Sequence, residues 1–498
     1  MTSEIDPTTL TVSLFCFLLV TGLGFLATRW RRPKAAYNID EWGLGGRSFG
    51  TWITWFLIGG DFYTAYTMIA VPALVYAVGA PGFFALPYTI IVYPFVFAVM
   101  PALWKRAKAA GYVTSGDVVF GQFGSRPLEL AVALTGVVAS MPYIALQLLG
   151  MAAALKALGL QGEIPLMIAF LVLAIYTYAA GLRAPALIAF VKDIMIYVVV
   201  VAAVVLIPSV LGGYGAVFTS AEAAFTAKGS GGILLAPNQY SAYATLALGS
   251  CLGAFMYPHT LTGILASKSA NTIRKNAMLL PIYTILLGLL AMLGYMGHAA
   301  GLKLDTPNDV VPALFKTLFP HWFAGFAFAA IAIGALVPAA VMSIGSANLF
   351  TRNFWKAYVN PRVTPAGEAK VAKITSIFVK AGALLVILYL PTQFAINLQL
   401  LGGVWILQTL PALLFGLFTK WFRAPALLAG WAVGLCGGTY LVWDAGWAPI
   451  HAVNLGSGPI AVYTGLVALV LNIAVASAVN VLVRGAGSAR APTAASGR

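Results

Sequence analysis

Asp61 stands at the middle of a long apolar run, directly after Gly59-Gly60. An ionised carboxylate at bilayer centre costs on the order of a few kcal/mol unless it is hydrated, paired or neutralised. Such a group holds a cation or carries a proton; its other reading is a helix cap that accepts free backbone N–H groups. His259 follows Pro258 and is the one histidine of 4 placed inside a helix. It can hydrogen-bond a solute carboxylate, join a proton relay, or pack as a satisfied side chain. Tyr143 and Gln147 are four residues apart and share one helix face. Their uncharged donors and acceptors suit a polar solute in a dry cavity. Tyr66 and Tyr257 would make that cavity narrow and aromatic, which favours a small solute over a sugar. The Ser343 hydroxyl, with exposed carbonyls, suits a hard cation such as sodium, or folds back onto its own helix.

The helices that must position these groups read as broken. The helix predicted over 48–78 carries Gly59-Gly60-Asp61 at mid-length and then Pro72. The helix predicted over 243–265 carries Gly249, Gly253 and Tyr257-Pro258-His259. Matching Gly/Pro interruptions in two halves of a chain point to a transporter with inverted repeats. There, half-helix N-termini bind anionic groups and freed carbonyls bind cations. Glycines that only let helices pack closely would give the same composition. Further helices are predicted over 11–28, 83–103, 128–155, 165–178, 186–211, 277–300, 323–350, 371–390, 394–418, 424–442 and 460–483, for about thirteen in all. One transmembrane domain over 1–484 is expected, with repeats over about 48–211 and 243–418 and a disordered cytoplasmic tail over 485–498. Three external segments, 212–242, 301–322 and 443–459, exceed hairpin length.

Composition demands the bilayer. Of 498 residues 61% are hydrophobic and only 9% charged, and a soluble surface cannot be built from that balance. Recurring uncharged runs of about 18 or more residues match a hydrocarbon core of roughly 30 Å. In lipid such runs must satisfy their own backbone, so they are helices. The net charge of +15 does not imply nucleic acid. With the N-terminus outside, 25 of the 29 Lys and Arg fall in the cytoplasmic segments 29–47, 104–126, 181–192, 267–275, 351–380, 419–423 and the tail from 484. This positive-inside bias predicts the N-terminus outside and the C-terminus in the cytoplasm. The first ten residues hold Glu4 and Asp6 and no basic residue, so the first helix is expected to be retained. Cys16, Cys251 and Cys436 sit in apolar runs, without metal-ligand spacing. Of the 14 acidic residues only Asp61 is placed at mid-membrane, with Glu129 and Asp193 near cytoplasmic ends. No mid-membrane Lys or Arg is expected either. A bound carboxylate would then rely on helix-end N–H groups and neutral donors.

Short stretches along the chain carry a resemblance. Leu44-Gly45-Gly46-Arg47-Ser48 precedes the second helix, and Phe120-Gly121-Gln122-Phe123-Gly124-Ser125-Arg126-Pro127 precedes the fourth. Pro258-His259 resembles a GQPH stretch, Ala339-Ala340-Val341-Met342-Ser343 an AAxMS stretch, and Asn353 through Tyr358 the segment after it. In order and spacing these resemble the sodium:solute symporter family, whose fold is a LeuT-type 5+5 inverted repeat. Gly59-Gly60-Asp61-Phe62 and Gln147 look most like its acetate and monocarboxylate permeases. The resemblance implies symport of lactate, pyruvate, acetate, propionate or a related acid, alanine included, across a bacterial inner membrane. Carried over residue by residue, the family's sodium ligands would be Gly60, Tyr63, Ala340 and Ser343. The chain departs from the pattern at Ile344, where many members have a second hydroxyl, and at Gly263, where they have an arginine. The missing hydroxyl leaves the coupling ion open between Na+ and H+. Gln399 matches a region lining solute cavities in sugar-carrying members.

The expected protein is thus an all-α polytopic symporter working by alternating access, with Asp61, Tyr66, Tyr143, Gln147, Tyr257, His259 and Gln399 as solute-site candidates. No cofactor is expected besides the coupling ion, and no nucleic-acid partner. Proline, pantothenate or another small metabolite is the alternative solute. A sensory membrane domain and a channel are rivals from other classes. An enzyme is not expected, since no nucleophile–base pair, metal cluster or phosphate loop stands in the aqueous segments.

Overall fold

The computed structural model describes residues 6–26, 38–61, 63–160, 163–389, 395–454 and 458–488. The basic residues of 29–37, Phe62, Phe394 and the end of the predicted tail, 489–498, lie outside the described residues.

The chain enters as α1 (Pro7–Leu26). It passes through a broken pair, α2 (Thr51–Gly60) and α3 (Val71–Val78), into α4 (Ala85–Ala110), α5 (Arg126–Ala157), α6 (Glu163–Ala180) and α7 (Arg183–Val210). A second broken pair follows, α8 (Tyr240–Ala254) and α9 (Pro258–Ala266). A kinked run is made of α10 (Ala270–Leu279), α11 (Pro281–Ala291) and α12 (Leu293–Ala299). Then come α13 (His321–Phe350), α14 (Pro365–Tyr389), α15 (Ala395–Ile406), α16 (Ala424–Asp444) and α17 (Thr464–Ser488). Among the described residues, 9 continuous helical segments are long and apolar enough to cross a membrane. The two broken pairs, with α6 and α14, bring the crossings to thirteen.

Burial ranks these helices. The apolar window of α13 is 100% buried, whereas that of α1 is 22% buried and turns Phe15, Leu18 and Leu19 outward. So α13 is the axis of the bundle, packed by α1, α5, α7, α9 and α14, and α1 lies at the lipid face. Where the sequence reading left long external loops, the chain forms helices Tyr214–Lys228 and Val310–Leu318 and a hairpin. The hairpin pairs β1 (Ile450–Asn454) with β2 (Pro459–Tyr463), Ile450 opposite Tyr463. Its second strand takes Ile460-Ala461-Val462-Tyr463, which hydropathy alone assigned to the last helix. A short apolar run does not declare strand or helix. At its far end α17 continues to Ser488, so the first residues of the predicted tail are helical.

Two charge placements are corrected. Lys192 and Asp193, read as turn and helix-end residues, lie about ten residues into α7. At 1.5 Å per residue that is roughly 15 Å deep, half of the hydrocarbon core. Both side chains are buried. Lys380, also assigned to a cytoplasmic segment, lies well inside α14 and is fully buried, with its ammonium on the Ser376 carbonyl at 3.3 Å. Asp61 is therefore not the lone mid-membrane acid, and the membrane interior does hold lysines.

Candidate functional site

Both interruptions have a local cause. After Gly60 the chain leaves the helix, and it re-enters through a wide turn, Tyr66–Ala70, that runs into α3 with Pro72 in its first turn. Gly59 is required there: a Cβ would stand 2.1 Å from the Tyr283 ring. At the second break Pro258 is the first residue of α9 and holds Tyr257 extended, at φ −62° and ψ 141°. A residue before proline is driven to that region, and a proline at the first helical position gives up no needed donor.

Side chains take N–H groups freed at the first break and carbonyls freed at the second. The Ala65 N–H donates to Gln147 Oε1 at 3.1 Å, and the Tyr66 N–H donates to Thr64 Oγ1 at 3.0 Å. The cap that Asp61 was a candidate to provide is thus supplied at these positions by Gln147 and Thr64. Asp61 itself is buried, and its Oδ2 has no hydrogen-bond partner among the described residues. At the second break the Thr260 hydroxyl donates to the carbonyls of Ala254 and Tyr257, at 2.8 and 2.9 Å.

Seven solute-site candidates came from the sequence, and the structure buries all of them: Asp61, Tyr66, Tyr143, Gln147, Tyr257, His259 and Gln399. The rings of Tyr143, Tyr257 and His259 form a triangle with centroids 5.3–5.4 Å apart. Tyr257 donates to the Gln399 carbonyl at 3.0 Å, joining the second break to α15. Tyr143 lies within electrostatic range of Asp61, and Gln147, one turn on, holds the first break. Tyr66 faces Tyr88 edge-on at 6.4 Å. His259 Nδ1 and Gln399 Oε1 are buried without partners among the described residues. These are neutral donors and acceptors left for something else to satisfy.

Because Gln147 closes a buried N–H, Gln147→Leu should lower the melting temperature of the purified protein. An unpaired buried donor costs about 1–3 kcal/mol. Melting of the variant equal to that of the wild type would show that the bond contributes nothing.

The four cation candidates behave differently. The Lys192 ammonium donates to the carbonyls of Gly60 and Tyr63, at 2.7 and 2.8 Å, and lies 3.0 Å from Asp193 Oδ1. Tyr283 donates to the other Asp193 oxygen at 2.7 Å, and Tyr63 donates to the Tyr283 carbonyl at 2.8 Å. On α13 the Ser343 hydroxyl donates to the Ala340 carbonyl at 2.8 Å, the fold-back geometry open to it from sequence. Gly60 and Tyr63 are thus engaged by an ammonium, and Ala340 and Ser343 by each other. A monovalent ion added about 4 Å from that ammonium would meet a repulsion of about 4 kcal/mol at an effective dielectric of about 20. As arranged, this donor set does not fit a sodium ion.

Sequence reasoning missed Lys192, Asp193 and Tyr283. The signal was present: Lys192-Asp193 is an adjacent opposite-charge pair interrupting the apolar stretch from Ile188 to Val205. Charges inside a hydrophobic run were read as the end of a helix, whereas a compensated pair can lie inside one.

Among the described residues, thirteen helical crossings, two of them broken beside buried polar groups, give the architecture of a multi-pass membrane protein. Residues 42–434 match the model of the sodium:solute symporter family, so the chain belongs to that family. It is 76% identical over 482 residues to the "Monocarboxylate transport permease protein" of Rhizobium johnstonii, covering 97% of this chain and 98% of the relative. It is 32% identical to the "Uncharacterized symporter YodF" of Bacillus subtilis, over 91% of this chain and 95% of that one. Among solved structures, a Na+-coupled sialic acid symporter in its substrate-bound outward-open state superposes with a TM-score of 0.76 at 15% identity, covering 96% of this chain and 98% of that chain. The expected fold class, an all-α polytopic transporter of LeuT type, is the one found.

Proposed function

We propose that this protein is a cation-coupled symporter that imports small monocarboxylates across a bacterial inner membrane by alternating access. Lactate, pyruvate, acetate and propionate are the solutes, with alanine as a related one. The similarity to a relative named for monocarboxylate transport supports the solute class. The repeats over 48–211 and 243–418 rock about the site between the broken helices, with the N-terminus outside and the C-terminus in the cytoplasm.

The observation that carries this reading is the buried, unpaired carboxylate oxygen of Asp61 within electrostatic range of Tyr143, whose ring packs on Tyr257 and His259 at the second break. An anionic solute entering that site meets a like charge. A cation, Na+ or H+, taken up at Asp61 cancels it, so cation and solute favour each other's binding by the same factor. That reciprocity is what symport needs. The solute carboxylate is held by the N–H groups at the start of α9 and by the uncharged donors of Tyr143 and His259, while the unpaired Gln399 Oε1 accepts from a solute hydroxyl. The ring triangle keeps the space small.

Uptake of labelled lactate, pyruvate, acetate and proline into proteoliposomes, with sodium and pH gradients imposed separately, tests this directly. Accumulation of the acids against their gradient is expected. Accumulation of proline and none of the acids would overturn the solute assignment, and leakage without saturation would make the protein a channel.

A further inference from the structure

We propose that the Lys192 ammonium is a built-in cation standing where the family resemblance puts sodium, so that solute binding and exchange by this protein need no sodium ion and a proton is the cation taken up at Asp61. The inference rests on the transport reading only for its solute readout.

Three independent features support it. The first is donor satisfaction. Two ammonium hydrogens go to the Gly60 and Tyr63 carbonyls at 2.7 and 2.8 Å, and Asp193 Oδ1 lies 3.0 Å away as the ion-pair partner, inside a fully buried site. Carbonyls freed at a helix break ask for a cation, and a tethered ammonium answers as a sodium ion would. The second is the shape of the cradle. A Cβ at Gly60 would stand 3.0 Å from Lys192 Nζ and 3.4 Å from both Asp193 carboxylate oxygens, so the glycine makes room for the ion pair itself. The third is anchoring. Tyr283 from α11 fixes Asp193, Tyr63 from the break fixes Tyr283, and the Tyr63 and Tyr283 rings lie 4.7 Å apart. The remaining candidate ligands, Ala340 and Ser343, bond to each other.

A diffusible ion joins its ligands only while it is bound. An ammonium carried by α7 holds the break of α2 against α7 throughout. The tie that sodium would make and release is then permanent, and sodium loses its leverage over the solute site.

The test uses the purified full-length chain. Wild-type protein should bind no 22Na+ at equilibrium, and lactate counterflow in proteoliposomes should be the same in sodium and in choline buffers. Lys192→Ala leaves two carbonyls and the Asp193 carboxylate around an open space. That variant should bind 22Na+, and its counterflow should be lost in choline and regained in sodium. Lys192→Arg keeps the charge and should remain unresponsive to sodium. Sodium binding by the wild type, or wild-type counterflow that requires sodium, overturns the proposal, and neither measurement depends on a variant folding. If no monocarboxylate exchanges in any buffer, the solute reading fails while 22Na+ binding still decides the role of the lysine.

Discussion

Asp61→Asn is expected to abolish concentrative uptake of monocarboxylates while the protein still inserts, folds and exchanges solute down its gradient. The substitution is nearly isosteric, and the Asp61 Oδ2 atom it alters has no hydrogen-bond partner among the described residues. The backbone donors nearby, Ala65 and Tyr66, go to Gln147 and Thr64, so the break keeps its geometry. Because Oδ2 is unpartnered, replacing it should change the melting temperature little. What is lost is the charge. With a neutral amide the anionic solute no longer needs a cation beside it, and the reciprocal factor linking the two affinities falls toward one. A gradient with no linkage does no work on the solute. The expected pattern is therefore a split: counterflow retained, accumulation ratio reduced to equilibrium. A variant that accumulates lactate as well as the wild type would remove Asp61 from coupling altogether.

The same neighbourhood shows how far the sequence could be read. The two interruptions were legible because Gly59-Gly60 and Pro258 act locally: glycine allows a close approach and proline fixes its own φ and that of its neighbour. Their partners were only partly legible. Tyr143 and Gln147 could be placed on one face by helical spacing, and they do face the two breaks. Lys192 was legible only as half of an opposite-charge pair inside an apolar run, and what its ammonium binds turned on tertiary contacts. A lone lysine at mid-membrane is costly, and positive-inside counting moves it to the nearest turn. Only three-dimensional structure shows two carbonyls and a carboxylate around its ammonium, at 2.7–3.0 Å. Lys380 repeats the lesson on α14, where burial and not sequence context sets its position. Loop structure failed for a different reason. Helix Val310–Leu318 and the hairpin of β1 and β2 are short elements held by packing onto the bundle, and hydropathy over a membrane-length window averages them away.

Gly345→Ala is the second substitution expected to have a large effect, and it acts through packing alone. Gly345 lies on α13 where that axis crosses the start of α9. A Cβ there would stand 2.8 Å from the Pro258 carbonyl carbon and 2.9 Å from both the Pro258 oxygen and the His259 nitrogen. All three are backbone atoms, so no side chain can rotate away, and the contact must be relieved by separating the helices. Overpacking of this kind costs about 1–3 kcal/mol. Here it also displaces the N–H groups offered to the solute and the His259 ring, which lies 5.4 Å from Tyr143. The variant should melt lower than the wild type, and lactate counterflow should fall more steeply than folded yield, since the wedge enters at the break itself. Gly22→Ala is the control. Nothing lies within 4 Å of a Cβ at that position on α1, and alanine there favours helix by about 0.5–1 kcal/mol. If Gly345→Ala transports and melts like that control, α13 and α9 need not approach so closely, and the second break is not held in place from behind.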